Sequence, residues 1–427
     1  MKNLYKKFNF LILGVLFSAI TFAQDYSSGI IIANEGLFGT NTASLSFLSD
    51  EGALTNDIFG AANEGTELGN TAQGMGFNGE NAYIVLNGSQ TIRVVNRHSF
   101  ELITTIDEGL ENPRHIAFSN GKGYVTNWGD AGDAEDDYVA VINLETNSVE
   151  NTIPVSEGPE RIIEVEGKLY VTQQGGYGYG NTVSVIDVAT NVVTEITVAD
   201  VPLAMLEKDG FLYVICGGKQ AWTQDETDGG LFQIDLNTNT VTKQYDFESG
   251  DHPNYLGSFE DQLYFVLDGG IYTINLTEET PEHDLLVQTD VAVTYGFNII
   301  DDKIYIADAI DYVSPGEVII YSLDGLALAS YTVGLLPNGF YKNEEGGMNV
   351  IDQTLAEVKI YPNPASGVFF VDGKNISKVE IYDLAGRIVK STSNISNGVS
   401  VNELNKGVYI VKIQSGKKST SKKLIIK

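Results

Sequence analysis

A short run centred on a tyrosine returns six times along this chain, and no other feature restricts its fold as much. It reads AYIVLN at Tyr83, GYVTN at Tyr124, LYVTQ at Tyr170, LYVIC at Tyr213, LYFVL at Tyr264 and IYIAD at Tyr305. The gaps between these tyrosines are 41, 46, 43, 51 and 41 residues. Each run is rich in Val, Ile and Tyr, which is strand rather than helix patterning. The copy spanning residues 112–155 displays the whole unit: IAFSN, an Asn120–Gly121 turn, GYVTN, an acidic loop, YVAVIN, a polar LETN turn and VENTIPV. A period of roughly 40–50 residues with four short strands in each predicts a β-propeller.

The ends of the repeat predict how it closes. A seventh copy, GIIIANEG near Ile31, lies 52 residues before Tyr83 and lacks a strand ahead of it. After the last complete unit one run remains, LLPNGFYKN, and it carries the Pro-x-x signal that opens the inner strand at Pro113, Pro159 and Pro202. The expectation is an all-β chain with a seven-bladed propeller, one blade being completed by three N-terminal strands plus one from the far end. Such closure removes free sheet edges.

Composition adds the compartment. Residues 1–23 have Lys2, Lys6 and Lys7, an apolar run and small residues near Ala23, the pattern of a secretory signal peptide. Once it is cleaved, no span of the membrane is expected. Cys216 is the only cysteine, so the core rests on burial rather than disulfides. Residues 25–350 hold 11 Lys and Arg against 51 Asp and Glu, a balance of −40. A surface that acidic repels nucleic acid and anionic membranes. Residues 351–427 reverse the sign, with 12 basic and 6 acidic residues, and so form a separate module. The expected domains are a propeller over 24–343, a linker over 344–357 and a C-terminal module over 358–427.

That module is expected to be a small β-sandwich. Its residues resemble the C-terminal sorting domain of type IX secretion cargo from Bacteroidetes: Tyr361-Pro362-Asn363-Pro364, then Asp383-Leu384-Ala385-Gly386-Arg387, then Gly407-Val408-Tyr409, then the closing Lys423 to Lys427. The resemblance implies handling by the type IX machinery, export across the outer membrane, and a secreted or cell-surface location.

Loops separate the propeller's two faces. One face carries uniform Gly/Asn/Asp turns with a structural role. The other carries long, varied loops with Phe38, Trp128, Tyr177, Tyr179, Trp222 and Tyr312, while the crossings between blades add Gln73, Arg114, His115, Glu160, Arg161, Asn254 and Asn338 at the channel mouth. Aromatic area beside adaptable polar groups suits a ligand-binding face. No HExxH, Gly-x-Ser-x-Gly, phosphate loop or CxxCH motif is present, so a non-enzymatic protein without cofactor is expected. Calcium would suit the oxygen ligands of Asp130, Asp133, Glu135, Asp136 and Asp137, although their spacing fits no EF-hand and a solvated acidic loop is the alternative.

The propeller residues resemble the YncE-like family of secreted seven-bladed proteins. Asn34-Glu35-Gly36, Asn41 to Leu45, Leu68 to Gln73, Asn112-Pro113-Arg114, Gly158-Pro159-Glu160 and Cys216-Gly217-Gly218 carry the likeness. That group includes surface cobalamin-binding propellers, so the resemblance implies capture of a small ligand such as a corrinoid on the loop-rich face. This chain differs in having no lipoprotein cysteine. A surface-protein partner on an adhesion scaffold, and a metal-dependent hydrolase of the lactonase type at the channel mouth, are the competing readings.

Overall fold

In the tyrosine-bearing strands nearly every side chain is buried, those on both faces alike. Lys122–Asn127, Lys168–Gln173 and Phe211–Cys216 are each covered along almost their whole length. A strand is covered on both faces only when its sheet is sandwiched between two others. The last strand of each unit is the opposite: Ser148–Pro154 and Thr240–Asp246 are largely exposed. The second strand of each sheet is therefore its most deeply covered, and in these sheets the outermost strand is solvated.

The computed structural model describes residues 25–130, 132–133, 135–278, 282–344, 359–372, 376–382, 387–393, 398–415 and 418–427. The expected signal segment, all but the first residue of the expected linker, and Asp383 and Gly386 of the sorting motif lie outside these residues, as does the side chain of Lys423. The described chain falls into two units divided after residue 348.

The first unit contains seven four-stranded antiparallel sheets. Six are made from consecutive strands. The remaining one combines Gly29–Asn34, Ser44–Ser49 and Leu54–Thr55 with Pro337–Asn343, which pairs antiparallel to Gly29–Asn34. The innermost strands touch their neighbours in turn: Ala72–Asn78, Pro113–Ser119, Pro159–Val165, Pro202–Lys208, Asn254–Phe259, Thr294–Ile300, Pro337–Asn343 and back to Ala72–Asn78. The arrangement is all-β and propeller-like.

The repeated tyrosine has a reason. Its ring is buried, and at Tyr83 and Tyr170 the hydroxyl also reaches a turn in the next sheet. Tyr83 donates to Asn147 Oδ1 at 3.2 Å and Tyr170 to Asn239 Oδ1 at 2.8 Å. Both asparagines have positive φ, a conformation that asparagine tolerates better than most residues. A buried tyrosine thus contributes apolar area and a satisfied hydroxyl together.

Among the described residues the second unit has seven strands in the order Ile388–Thr392, Lys378–Tyr382, Gly407–Ser415, Lys418–Ile426, Lys359–Ser366, Val368–Asp372 and Val399–Ser400. Phe369, Val379, Ile381, Val411, Ile413 and Leu424 form its core. Of the expected sorting residues, Pro362, Asn363 and Pro364 lie in the strand Lys359–Ser366, and Gly407 and Tyr409 in Gly407–Ser415, while Arg387 and Lys427 flank strands.

Asn343 fastens the chain's late strand to its beginning. It is fully buried, its Nδ2 donates to the carbonyls of Tyr26 and Arg97 at 2.7 Å, and its Oδ1 accepts from Arg97 Nε at 2.8 Å. Asn343→Ala leaves two carbonyls and a buried guanidinium short of partners and is expected to cost about 2–4 kcal/mol in denaturant unfolding. Loss of less than about 0.5 kcal/mol would mean that this junction does not hold the unit together.

Candidate functional site

Each inner strand begins with a β-bulge at the same place. The register of pairing slips at Gln73, at Arg114–His115, at Glu160–Arg161, at Leu203, at Tyr255–Leu256, at Tyr295 and at Asn338. A bulge frees a residue from the ladder and re-aims its side chain. The first bulged residue of all seven strands lines a single cavity of about 390 Å³.

Backbone strain accompanies this pattern. Two positions before the bulged residue, Thr71, Asn112, Gly158, Val201 and Leu336 all have φ between 48° and 68°. For β-branched Thr71 and Val201 that conformation is costly. Their carbonyls are put to use: the residue following the second strand donates its N–H to them, as with Asn87 to Thr71, Trp128 to Asn112, Gln174 to Gly158 and Glu35 to Leu336. These four donors form a second tier of cavity-lining side chains.

Charge is concentrated on one wall. Arg114 grips Glu160 with both prongs, Nε to Oε2 at 2.7 Å and Nη2 to Oε1 at 3.2 Å. Its guanidinium also lies 4.0 Å from the Trp128 ring centroid, a cation–π contact. Trp128 donates to the Pro159 carbonyl at 3.2 Å and meets Tyr177 edge-on at 5.8 Å. Burial works to raise the Glu160 carboxyl, but Arg114 and His115 outweigh it and hold the group well below the usual carboxylate range. His115 Nε2 sits 3.3 Å from Glu160 Oε1 without the alignment of a hydrogen bond. Burial, helped by the nearby Arg161 charge, pushes His115 down to about 4.

The facing wall is phenolic. Tyr295 donates to Glu35 Oε2 at 3.0 Å, and Asn338 Nδ2 donates to the Ala72 carbonyl at 2.8 Å while approaching Glu35 at 3.4 Å. Burial raises the Glu35 carboxyl, opposed by Tyr295 and Arg114. Asn338 Oδ1 is buried without a partner.

Of the residues singled out in the sequence, Phe38, Gln73, Arg114, Trp128, Glu160, Arg161, Tyr177, Asn254 and Asn338 line the cavity. His115, Tyr179, Trp222 and Tyr312 do not. A tight turn in which Gly178 and Gly180 bond back to Gly175 and Gln174 directs Tyr179 outward. Trp222 sits on a 3₁₀ turn, Ala221–Thr223, and is 76% exposed. Tyr312 meets Tyr295 edge-on at 6.1 Å and is exposed. Glu35, Tyr255 and Tyr295 line the cavity without having been singled out as site residues. Asn254 and Thr294 stand where other inner strands have proline, so the Pro-x-x signal is silent ahead of both tyrosines. The acidic loop brings Asp130, Asp133 and Asp137 to a smaller neighbouring pocket, and among the described residues no three His, Cys, Asp or Glu side chains are grouped as a metal site.

His115 sets a pH signature. Buried and neutral when folded, it gains a proton more readily in the unfolded chain, so its stabilising contribution is present above about pH 6.5 and is lost as pH falls towards 4. Unfolding free energy of the wild type should therefore drop more steeply over that window than that of His115→Asn, the gap closing by about 3 kcal/mol. Parallel curves would contradict the burial of a neutral imidazole.

Comparison with known proteins adds fold and destination. No curated protein matches the chain in sequence. Residues 359–427 match the family described as Secretion system C-terminal sorting domain, so the protein is type IX cargo bound for the cell surface or extracellular space. A quinonprotein alcohol dehydrogenase-like protein from Bacteroides thetaiotaomicron VPI-5482 is similar in structure, with TM-score 0.54 and 15% identity over 75% of this chain and 79% of its own. A functionally unknown protein from Desulfotomaculum acetoxidans DSM 771 gives TM-score 0.56 and 12% identity over 74% and 99%. At these identities the likeness concerns the fold alone. Residues 28–299 match a second family over well over half of the chain, and the protein therefore belongs to the family described as Domain of unknown function (DUF5074).

Proposed function

We propose that the seven sheets are the blades of one closed propeller and that the protein is a non-enzymatic capture module, holding a small ligand at the channel mouth after export. The observation that carries this reading is the convergence of all seven bulged residues on one cavity. Bulges and left-handed backbone are expensive, and they cluster where a side chain must be aimed. In this reading residues 24–343 are the binding module, 358–427 the sorting module and 344–357 the linker.

The rim supports capture rather than catalysis. Phe38 is 80% exposed and Tyr177 66% exposed, yet both line the cavity. Large aromatics left in water beside a polar pocket offer stacking area that a ligand would cover. A channel-mouth hydrolase would need Glu160 free for a cation, and both its oxygens are engaged by Arg114. A volume of about 390 Å³ falls at the lower end of small-molecule sites. A corrinoid would accordingly rest across Phe38 and Tyr177 with only a side group entering.

A thermal-shift series on the exported protein, using cyanocobalamin, neutral sugars, amino acids and aryl acids, tests capture. A stabilising compound is expected, and Tyr177→Ala or Phe38→Ala should weaken it about tenfold without altering the unliganded melting temperature. No stabilisation by any class, or binding indifferent to both substitutions, would defeat the reading.

A further inference from the structure

Arg161 is an arginine without an acid. Acidic residues outnumber basic ones by 51 to 11 across residues 25–350, yet among the described residues no carboxylate lies within ion-pair distance of its guanidinium. The neighbouring Arg114 is fully engaged by Glu160. Arg161 nevertheless lines the cavity. Its charge is felt by His115, Tyr255 and Tyr341, which stand on three different sheets, so the guanidinium reaches towards the shared centre. In so acidic a protein, a cation that faces a cavity and is left uncompensated by the chain is available to a ligand.

Resting on the capture reading above, we propose that the cavity selects organic acids: Arg161 receives the carboxylate of a small ligand whose apolar or planar body lies against the rim aromatics. Guanidinium presents paired N–H donors that match the two oxygens of a carboxylate. The surrounding charge favours a single negative group over a doubly charged one. Arg114 and Glu160 cancel, and among the described residues Glu35 on the facing wall is the only other carboxyl lining the cavity. Burial disfavours the ionised form of Glu35, which leaves the site with one positive charge or less. A dianion would meet Glu160 and Glu35 with nothing further to balance it.

The test uses the chain's two tryptophans. Trp222 is far from buried and outside the cavity, so Trp222→Phe leaves Trp128 as the sole reporter. Iodide serves as the anion probe, acrylamide as the neutral quencher, and benzoate with its isostere benzamide as competitors. Saturable iodide quenching of Trp128, relieved by benzoate and not by benzamide, is the expected result. Arg161→Gln should weaken iodide association about tenfold at unchanged circular dichroism. Arg161→Lys, which keeps the charge and loses the fork, should retain iodide association and lose severalfold in benzoate competition. Linear quenching, equal competition by benzamide, or saturation that persists in Arg161→Gln would overturn the inference. A neutral compound that binds through Tyr177 and ignores Arg161 would overturn it too, while leaving the capture reading in place.

Discussion

No sheet in the N-terminal unit can cover both of its faces by itself. Strands such as Lys168–Gln173 and Gln262–Leu267 are buried almost throughout because a neighbouring sheet lies on either side. A chain made of such sheets has no satisfactory end: the first and last would each leave one face in water. Pairing Pro337–Asn343 with Gly29–Asn34 answers this, since that mixed sheet touches both Thr294–Ile300 and Ala72–Asn78. Asn343 and Arg97 then satisfy the polar groups that the junction buries. The stacking requirement also explains the tyrosine repeat: the rings are buried, and the hydroxyls of Tyr83 and Tyr170 reach a turn asparagine of the next sheet.

The same requirement produces the candidate site. Each inner strand contacts the next, and in the proposed closed propeller they surround a channel whose mouth is shaped by how each strand begins. A bulge at the first residues turns one side chain per sheet towards that mouth, and the seven that result are Gln73, Arg114, Glu160, Leu203, Tyr255, Tyr295 and Asn338. They span cation, anion, amide, phenol and aliphatic chemistry, whereas the strands that follow them are much alike. The fold repeats and the site does not, which is the division between scaffold and function seen when sites are grafted on a common architecture. Arg114 and Glu160, on adjacent sheets, brace each other, and Arg114 lies over Trp128.

Much of this was legible in the sequence because repetition amplifies a weak signal. One LYVTQ-like run is ambiguous; six at near-regular spacing are not. The Pro-x-x signal located Arg114, Glu160 and Asn338, since proline fixes the backbone where the inner strand opens. It failed for Tyr255 and Tyr295, where Asn254 and Thr294 stand in its place and the bulge is enforced by pairing with the second strand. Trp222, Tyr179 and Tyr312 were singled out on chemical type, and the local turns that point them away are set by backbone hydrogen bonds that composition does not reveal. Glu35 carries no local signal, because its partners Tyr295 and Asn338 lie 260 and 303 residues away along the chain.

Crystallographic soaking of the protein with a library of small fragments would test the central claim most directly, because it asks where small molecules settle without assuming their identity. The account predicts that fragments concentrate in the cavity, in contact with the bulged residues and the rim aromatics Phe38 and Tyr177. Fragments scattered over the outer strands and lateral grooves, with only ordered water between the two walls, would contradict it.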